Sequence, residues 1–304
     1  MISIITPVFN RVSLIDQAIE SVVYQEDSLV EHIIIDGGST DGTLDILSKY
    51  PHLKIVSEPD QGMYDAINRG LELAQGNIIG FLNSDDIYVE NIFSKILQVF
   101  NDEQILAVVG EAIIFSEMAD GTLNIRRRFS PESFTSLLEL TTKRGPFFNA
   151  WFFRKSLFEK IGNFNTHYRI AGDREFMLRF ALSGLQYTKL NYPVYKYRQH
   201  SGSMTFGIKD QMLDPIYKEH IFMTRSILEH NNLSKQGRNL IRDLHTRNTL
   251  DMAFRSLKKI NLCNFTYYFH RGLKIDAFWF LKFVLRAGRA IKTQRQQYQE
   301  KPNI

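Results

Sequence analysis

One cysteine in 304 residues rules out an internal disulfide, and Cys263 is preceded by no CxxC pair or Cys/His cluster of the kind that cages a metal. A reducing compartment, the cytoplasm, fits such a chain. The start lacks the basic residues, long apolar stretch and small-residue cleavage site of a signal peptide; Met1-Ile2-Ser3-Ile4-Ile5 enters an apolar run at once and reads as a first strand. No internal repeat follows Gly207. The most apolar run of the tail, Ile275 to Leu285, is broken by charge and falls short of the about 20 residues needed to cross a bilayer.

What is present is ordinary for a globular protein, with 44% hydrophobic and 23% charged residues and a mean hydropathy of -0.21. The length suits one large α/β domain with an appendage better than two equal domains. The net charge of +4 conceals a division: residues 1–235 carry 23 Lys and Arg against 29 Asp and Glu, whereas residues 236–304 carry 14 against 4. The basic tail suits a nucleic acid, an anionic membrane surface or an acidic partner.

Short apolar runs alternate with helical patterns through the first 115 residues. Ser3–Val8, His32–Asp36, Lys54–Ser57, Ile78–Leu82 and Ala107–Phe115 read as strands, and Leu14–Tyr24, Thr43–Tyr50, Tyr64–Ala74 and Val89–Phe100 as helices. This order predicts a mostly parallel sheet flanked by helices. Ligands of such sheets bind beyond the carboxyl ends of the strands. Polar residues gather there in four successive loops: Asn10-Arg11, Asp36 to Gly42, Glu58 to Gly62, and Asn83-Ser84-Asp85-Asp86. Gly, Asp and Ser also make turns and caps, but four such loops in one register favour a site. The pattern is less regular from about Ser130 to Ser203, with helices expected near Lys155–Ile161 and from Asp173 to Ser183. The sequence reads as helical after Gly207, so a domain boundary is expected near 205, dividing 1–205 from 206–304.

Three places carry candidate chemistry. Asp85 and Asp86, directly after a buried strand, could share a hard divalent cation that neutralises a diphosphate; Asp86 could equally cap the next helix. Asp173, at a helix start, could accept a proton from an attacking hydroxyl or act as an N-cap, with Glu175 supporting the first turn. His200, in the polar turn Tyr197-Arg198-Gln199-His200, could ligate a metal or donate to a phosphate beside Arg198, although most lone histidines do neither.

Thr6-Pro7-Val8-Phe9-Asn10-Arg11, Ile34 to Thr43, Asn83-Ser84-Asp85-Asp86 and Ala171-Gly172-Asp173-Arg174-Glu175 occur in the order seen in glycosyltransferase family 2. The chain resembles that family over about residues 1–205, and the resemblance implies the GT-A fold. It also implies that Thr6 and Val8 border the nucleotide base of a nucleotide-sugar donor, and that Asp36 accepts from the base or its ribose. Asp85 would meet the ribose or the metal, Asp86 would be the principal ligand of Mn2+ or Mg2+, Asp173 the catalytic base, and His200 would close the diphosphate site. The implied reaction is inverting transfer to a saccharide or lipid-linked saccharide. The stretch Ser57 to Asp65 resembles a bacterial subgroup associated with surface-polysaccharide assembly.

Two positions depart from the family pattern: Asn83 stands where many members have an acid, and Ala66-Ile67-Asn68-Arg69-Gly70 stands where many have Ala-Arg-Asn-x-Gly, so that the usual arginine is missing. A glycine-free Thr6–Arg11 argues against a sugar nucleotidyltransferase, and the three acids argue against a non-catalytic nucleotide-sugar-binding protein. The acidic first half argues against nucleic acid. Trp279 and neighbouring aromatics, interleaved with Lys274, Lys282, Arg286, Arg289 and Lys292, are expected to seat the tail peripherally on the inner face of the cell membrane, or to form a homodimer face.

Overall fold

The computed structural model describes residues 1–304 except 26–28, 119–120, 144–146, 201, 204–209, 231 and 286–304. The chain divides into two compact units, Met1–Lys209 and Asp210–Ile304. The first contains strands β1 (Ile2–Val8), β2 (Val30–Asp36), β3 (Lys54–Ser57), β4 (Ile78–Phe81), β5 (Ile87–Tyr88), β6 (Ala107–Glu117), β7 (Leu123–Phe129), β8 (Trp151–Arg154) and β9 (Thr188–Arg198). Its helices are α1 (Ile15–Val23), α2 (Thr43–Leu47), α3 (Met63–Leu73), α4 (Phe93–Val99), α5 (Leu137–Lys143), α6 (Ser156–Ile161) and α7 (Gly172–Ser183).

The strands form one sheet in the order β3-β2-β1-β4-β8-β6-β9-β5, with β7 paired to β6. β1, β2, β3 and β4 are mutually parallel, as the βαβ alternation predicts. Beyond β4 the sheet is mixed: β8 is antiparallel to both β4 and β6, whereas β9 runs parallel to β6. β1, β4 and most of β2 are buried on both faces, whereas the edge strand β3 is largely exposed. Ile15, Ala18, Ile19 and Val22 of α1 repeat every three to four residues and are all buried. α3 comes so close to β1 that a Cβ on Gly70 would lie 2.4 Å from the Ile5 side chain. Beneath the carboxyl edge is an aromatic core in which Phe164 stacks on Phe176 at 4.7 Å and Phe81 meets Phe148 at 5.0 Å.

The amino edge of the parallel strands has its own polar tie. Glu31 accepts from Ser3 Oγ and from the amides of Gln75 (2.6 Å) and Gly76 (3.0 Å), and pairs with Lys54. Burial acts to raise its pKa, but Lys54 and the three other donors outweigh burial and hold it low.

The second unit is helical, comprising α8 (Asp210–His230), α9 (Lys235–Lys258) and α10 (Leu262–Ile275), followed by a helical segment at 279–285. Its core joins Ile221, Leu250, Met252, Ala253, Tyr268 and Trp279. The expectation that Trp279 lies at an interface is overturned, because the ring is fully buried and its Nε1–H donates to Thr249 Oγ1 at 2.9 Å. Arg286, Arg289 and Lys292 lie outside the described residues. Among the described residues, no helix is long and apolar enough to cross a membrane.

Candidate active site

The loops at the carboxyl edge are bonded to one another. Val8 lies opposite Asp36 in the β1–β2 register. Asn10, at φ 51°, donates its amide to Ser39 Oγ (2.8 Å) and accepts from the Thr40 amide (2.9 Å), while the Arg11 amide donates to Thr43 Oγ1 (2.9 Å). The Asp-Gly-Gly-Ser-Thr-Asp-Gly-Thr run is therefore a scaffold clasped by the β1 loop. Asp36 is fully buried, and its Oδ2 accepts from Gly38 N (3.1 Å), Ser39 N (3.0 Å) and Ser57 Oγ (2.6 Å). Among the described residues its Oδ1 has only the long bond from Ser39 N at 3.3 Å and keeps capacity to accept another donor.

Thr6 and Val8 do not open onto the rim. Thr6 is fully buried and its hydroxyl bonds His32 Nε2 at 2.9 Å, while Val8 packs in the core. Burial, with a smaller contribution from His52, pushes the His32 pKa down to about 3. The side chain that does open there is Phe9, which is 57% exposed. Its signal in the sequence is an aromatic residue one position beyond an apolar strand and just before the loop.

The two acids after β4 have different environments. Asp86 is buried: its Oδ1 accepts from the Arg198 amide (2.7 Å), and its Oδ2 from Asn83 Nδ2 (3.0 Å) and the Tyr195 hydroxyl (3.0 Å). Burial first, and the neighbouring Asp85 charge second, push its pKa up to about 7. The Tyr195 hydroxyl also accepts from Asn83 N (3.0 Å) and Asn149 Nδ2 (2.9 Å), which fills its capacity as one donor and two lone pairs. Asn83 is thus a fitted residue here, since its amide donates to Asp86 and an acid in its place could not. Three protein donors fix the carboxylate of Asp86, the principal metal ligand expected from the sequence, and leave it less exposed than Asp85.

Asp85 is the more open member of the pair. Its Oδ2 lies 3.0 Å from His200 Nε2, and its carbonyl accepts from Arg198 Nε at 2.9 Å. The His200 Nδ1 accepts from the Gly202 amide at 3.2 Å, so a neutral ring carries its proton on Nε2 and donates it to Asp85. Arg198 is not a phosphate clamp. Its guanidinium is buried, pairs with Glu117 and Gln17, and lies 4.8 Å over the Phe115 ring. Arg69, in turn, faces Asp65 (3.1 Å) and Glu58 (3.7 Å).

Asp173 occupies the second position of α7, and Ala171 is the N-cap, so the acid is not a cap. Its Oδ1 accepts from the Arg174 amide (2.6 Å) and lies 3.3 Å from the Tyr64 hydroxyl; among the described residues Oδ2 has no protein partner. Burial raises its pKa against the opposing effects of Arg174 and Tyr64. α7 can approach α3 this closely because residue 172 is glycine: a Cβ there would lie 2.7 Å from the Tyr64 ring. The Tyr197 hydroxyl accepts from the Asn149 amide at 3.2 Å, and its pKa is held well above the usual value first by burial, then by the charge of Asp86, with smaller contributions from Asp173 and Asp85.

Among the described residues, no three His, Cys, Asp or Glu side chains group to cage a cation. Asp85 offers a half-open carboxylate, an oxygen donor that suits Mn2+ or Mg2+ when phosphate oxygens and water complete the shell, and His200, with both ring nitrogens engaged, orients it.

The sequence profile described as "Glycosyl transferase family 2" matches residues 3–162. The chain belongs to this family. It is 31% identical over 209 residues to the PGL/p-HBAD biosynthesis glycosyltransferase of Mycobacterium bovis, covering 66% of this chain and 78% of that relative. It is 33% identical over 185 residues to an uncharacterized glycosyltransferase of Mycobacterium tuberculosis, covering 60% and 69%. Among solved structures, Staphylococcus aureus TarS 1-349 superposes on this family 2 member with a TM-score of 0.66 at 18% identity, covering 97% of this chain and 91% of that one. The mannosyltransferase of Pyrobaculum calidifontis in complex with GDP-Man and Mn2+ gives 0.61 at 16% identity, covering 99% and 81%. The fold is the α/β GT-A fold expected from the sequence.

Proposed function

We propose that the chain is an inverting glycosyltransferase that moves a sugar from a nucleotide-diphosphate sugar to an acceptor hydroxyl. The observation that carries this reading is the placement of Asp173 at the start of α7, its Oδ2 without a hydrogen-bond partner among the described residues, together with the half-open Asp85 held by His200 after β4. Asp173 accepts the acceptor hydroxyl's proton as that oxygen bonds to the anomeric carbon and the bond to the diphosphate breaks, a single displacement that inverts the centre. Phe9 offers its face to the base, and Asp36 Oδ1 accepts from the base or its ribose. Mn2+ or Mg2+ held by Asp85, with His200 orienting that carboxylate, would offset the charge of the leaving diphosphate. Asp86 serves by fixing the loop that carries Asp85.

Solved neighbours of the same fold support the donor class: TarS 1-349 was solved with UDP-GlcNAc and the Pyrobaculum enzyme with GDP-Man and Mn2+. In this reading residues 1–205 carry the chemistry. The acceptor is a saccharide or lipid-linked saccharide in surface-polysaccharide assembly at the cytoplasmic face of the membrane. Thermal stabilisation and hydrolysis measured with UDP-, GDP- and dTDP-sugars in the presence of Mn2+ test the proposal, which predicts that one nucleotide class both stabilises the protein and is turned over. A protein that neither binds nor hydrolyses any of them would overturn it.

A further inference from the structure

The helical segment 279–285 is apolar on both of its sides. One side faces the second unit's core: Trp279 stacks on Phe283 at 5.4 Å and meets Phe269 at 5.2 Å, while Phe283 stacks on Phe254 at 4.5 Å and meets Phe265 at 5.8 Å. Because 279 meets 269 and 283 meets 265, the segment runs back antiparallel along α10. The other side holds Phe280, Leu281, Val284 and Leu285, each about half exposed, and Phe278 at the turn into the segment is 69% exposed. Lys282, paired with Asp276, is the one charged residue of the segment, and a helix apolar on both of its sides is expected to be covered. The 19 residues that follow, 286–304, are mostly polar and carry five Lys and Arg against one Glu, a composition poorly suited to covering it.

We propose that this outer face docks on an anionic lipid surface. The apolar run from Ile275 to Leu285 carries Asp276 and Lys282 and falls short of the about 20 apolar residues needed to span, so it suits a position in the plane of the interface. Charge decides between lipid and a second copy of the chain. Residues 236–304 hold 14 Lys and Arg against 4 Asp and Glu. A symmetric dimer through this face would bring two such regions together, whereas anionic headgroups attract them. The contact residues are Phe278, Leu281 and Leu285, and Trp279 is the buried support beneath them.

Flotation of the full chain with phosphatidylglycerol-containing and pure phosphatidylcholine vesicles tests this. The wild type is expected to float with the anionic vesicles only, and less at high salt. The variant F278S/L281S/L285S, altered at exposed positions only, should bind at least about tenfold more weakly with every basic residue still present. In the separate variant Phe278→Trp, added vesicles should shift the new tryptophan's emission to the blue. Equal flotation of the triple variant, or failure of the wild type to float, would overturn the proposal. A wild-type dimer that the triple variant breaks in the absence of lipid would assign the face to a second copy instead.

Discussion

The Tyr64 hydroxyl lies 3.3 Å from Asp173 Oδ1 and 3.1 Å from the Ile170 carbonyl. It has a single proton, so it can donate fully to only one of them at a time. When Asp173 is ionised, the proton favours the carboxylate. Once Asp173 has taken a proton on its open Oδ2, Oδ1 accepts less strongly and Tyr64 can turn to the Ile170 carbonyl. Tyr64 is a positioning residue that favours the ionised base.

Removing that hydroxyl with Tyr64→Phe takes a hydrogen bond from the charged form of Asp173, which raises its pKa further. The acid limb of the kcat profile should move to higher pH, with kcat near neutrality lowered about three- to tenfold and donor KM little changed. An acid limb that stays in place would show that the contact does not act on the base.

Asp173→Asn keeps the shape of the site and removes the proton acceptor. Transfer should fall by about two orders of magnitude or more while calorimetry still detects donor binding. In the wild type, burial raises the Asp173 pKa, so activity should be lost as pH falls through a value above the ordinary carboxylate range. Abolished donor binding together with impaired folding in Asp173→Asn would make the residue structural.

The acids after β4 should separate in two assays. Asp85→Asn is expected to weaken the dependence of activity on Mn2+ with little change in melting temperature. Asp86→Ala leaves the Arg198 amide, Asn83 Nδ2 and the Tyr195 hydroxyl without their common acceptor, at a cost of about 2–4 kcal/mol. The reverse pattern, a stable Asp86→Ala protein that has lost only its metal response, would return the metal to Asp86.

His32 ties stability to pH. Its folded pKa of about 3 lies below the ordinary 6.5, so the unfolded chain binds the proton first as pH falls. Stability is therefore lost from about pH 6.5 downward, by about 2 kcal/mol at pH 5, and the loss ends near the folded value. Thermal melts across this window should show a smaller decline in His32→Gln than in the wild type.

The parallel half of the sheet was legible because each of its elements is local: apolar runs of strand length alternate with three-to-four-residue periodicity, and Lys54–Ser57 is a strand at the limits expected for it. The antiparallel pairings of β8 with β4 and β6 join strands far apart in the chain and leave no local signal. At the site, the residue types were legible and their orientations were not. Which of Asp85 and Asp86 turns inward depends on the backbone of Arg198, 112 residues further along the chain. Thr6 points away from the rim because side chains alternate along β1, and Trp279 is buried because three helices close over it. An aromatic beside basic residues has the same composition whether it faces lipid or a core.

Glu31 fastens the amino edge of the parallel strands through Ser3, Gln75, Gly76 and Lys54, and none of these residues belongs to the loops that carry Phe9, Asp36 and Asp85. Strand alignment and ligand choice therefore have separate owners. Lineages of this fold can exchange the residues that choose a donor while inheriting the fastening unchanged, and a designer can diversify the carboxyl edge without first stabilising the scaffold. Evolvability is, in this sense, built into the geometry of a single buried carboxylate.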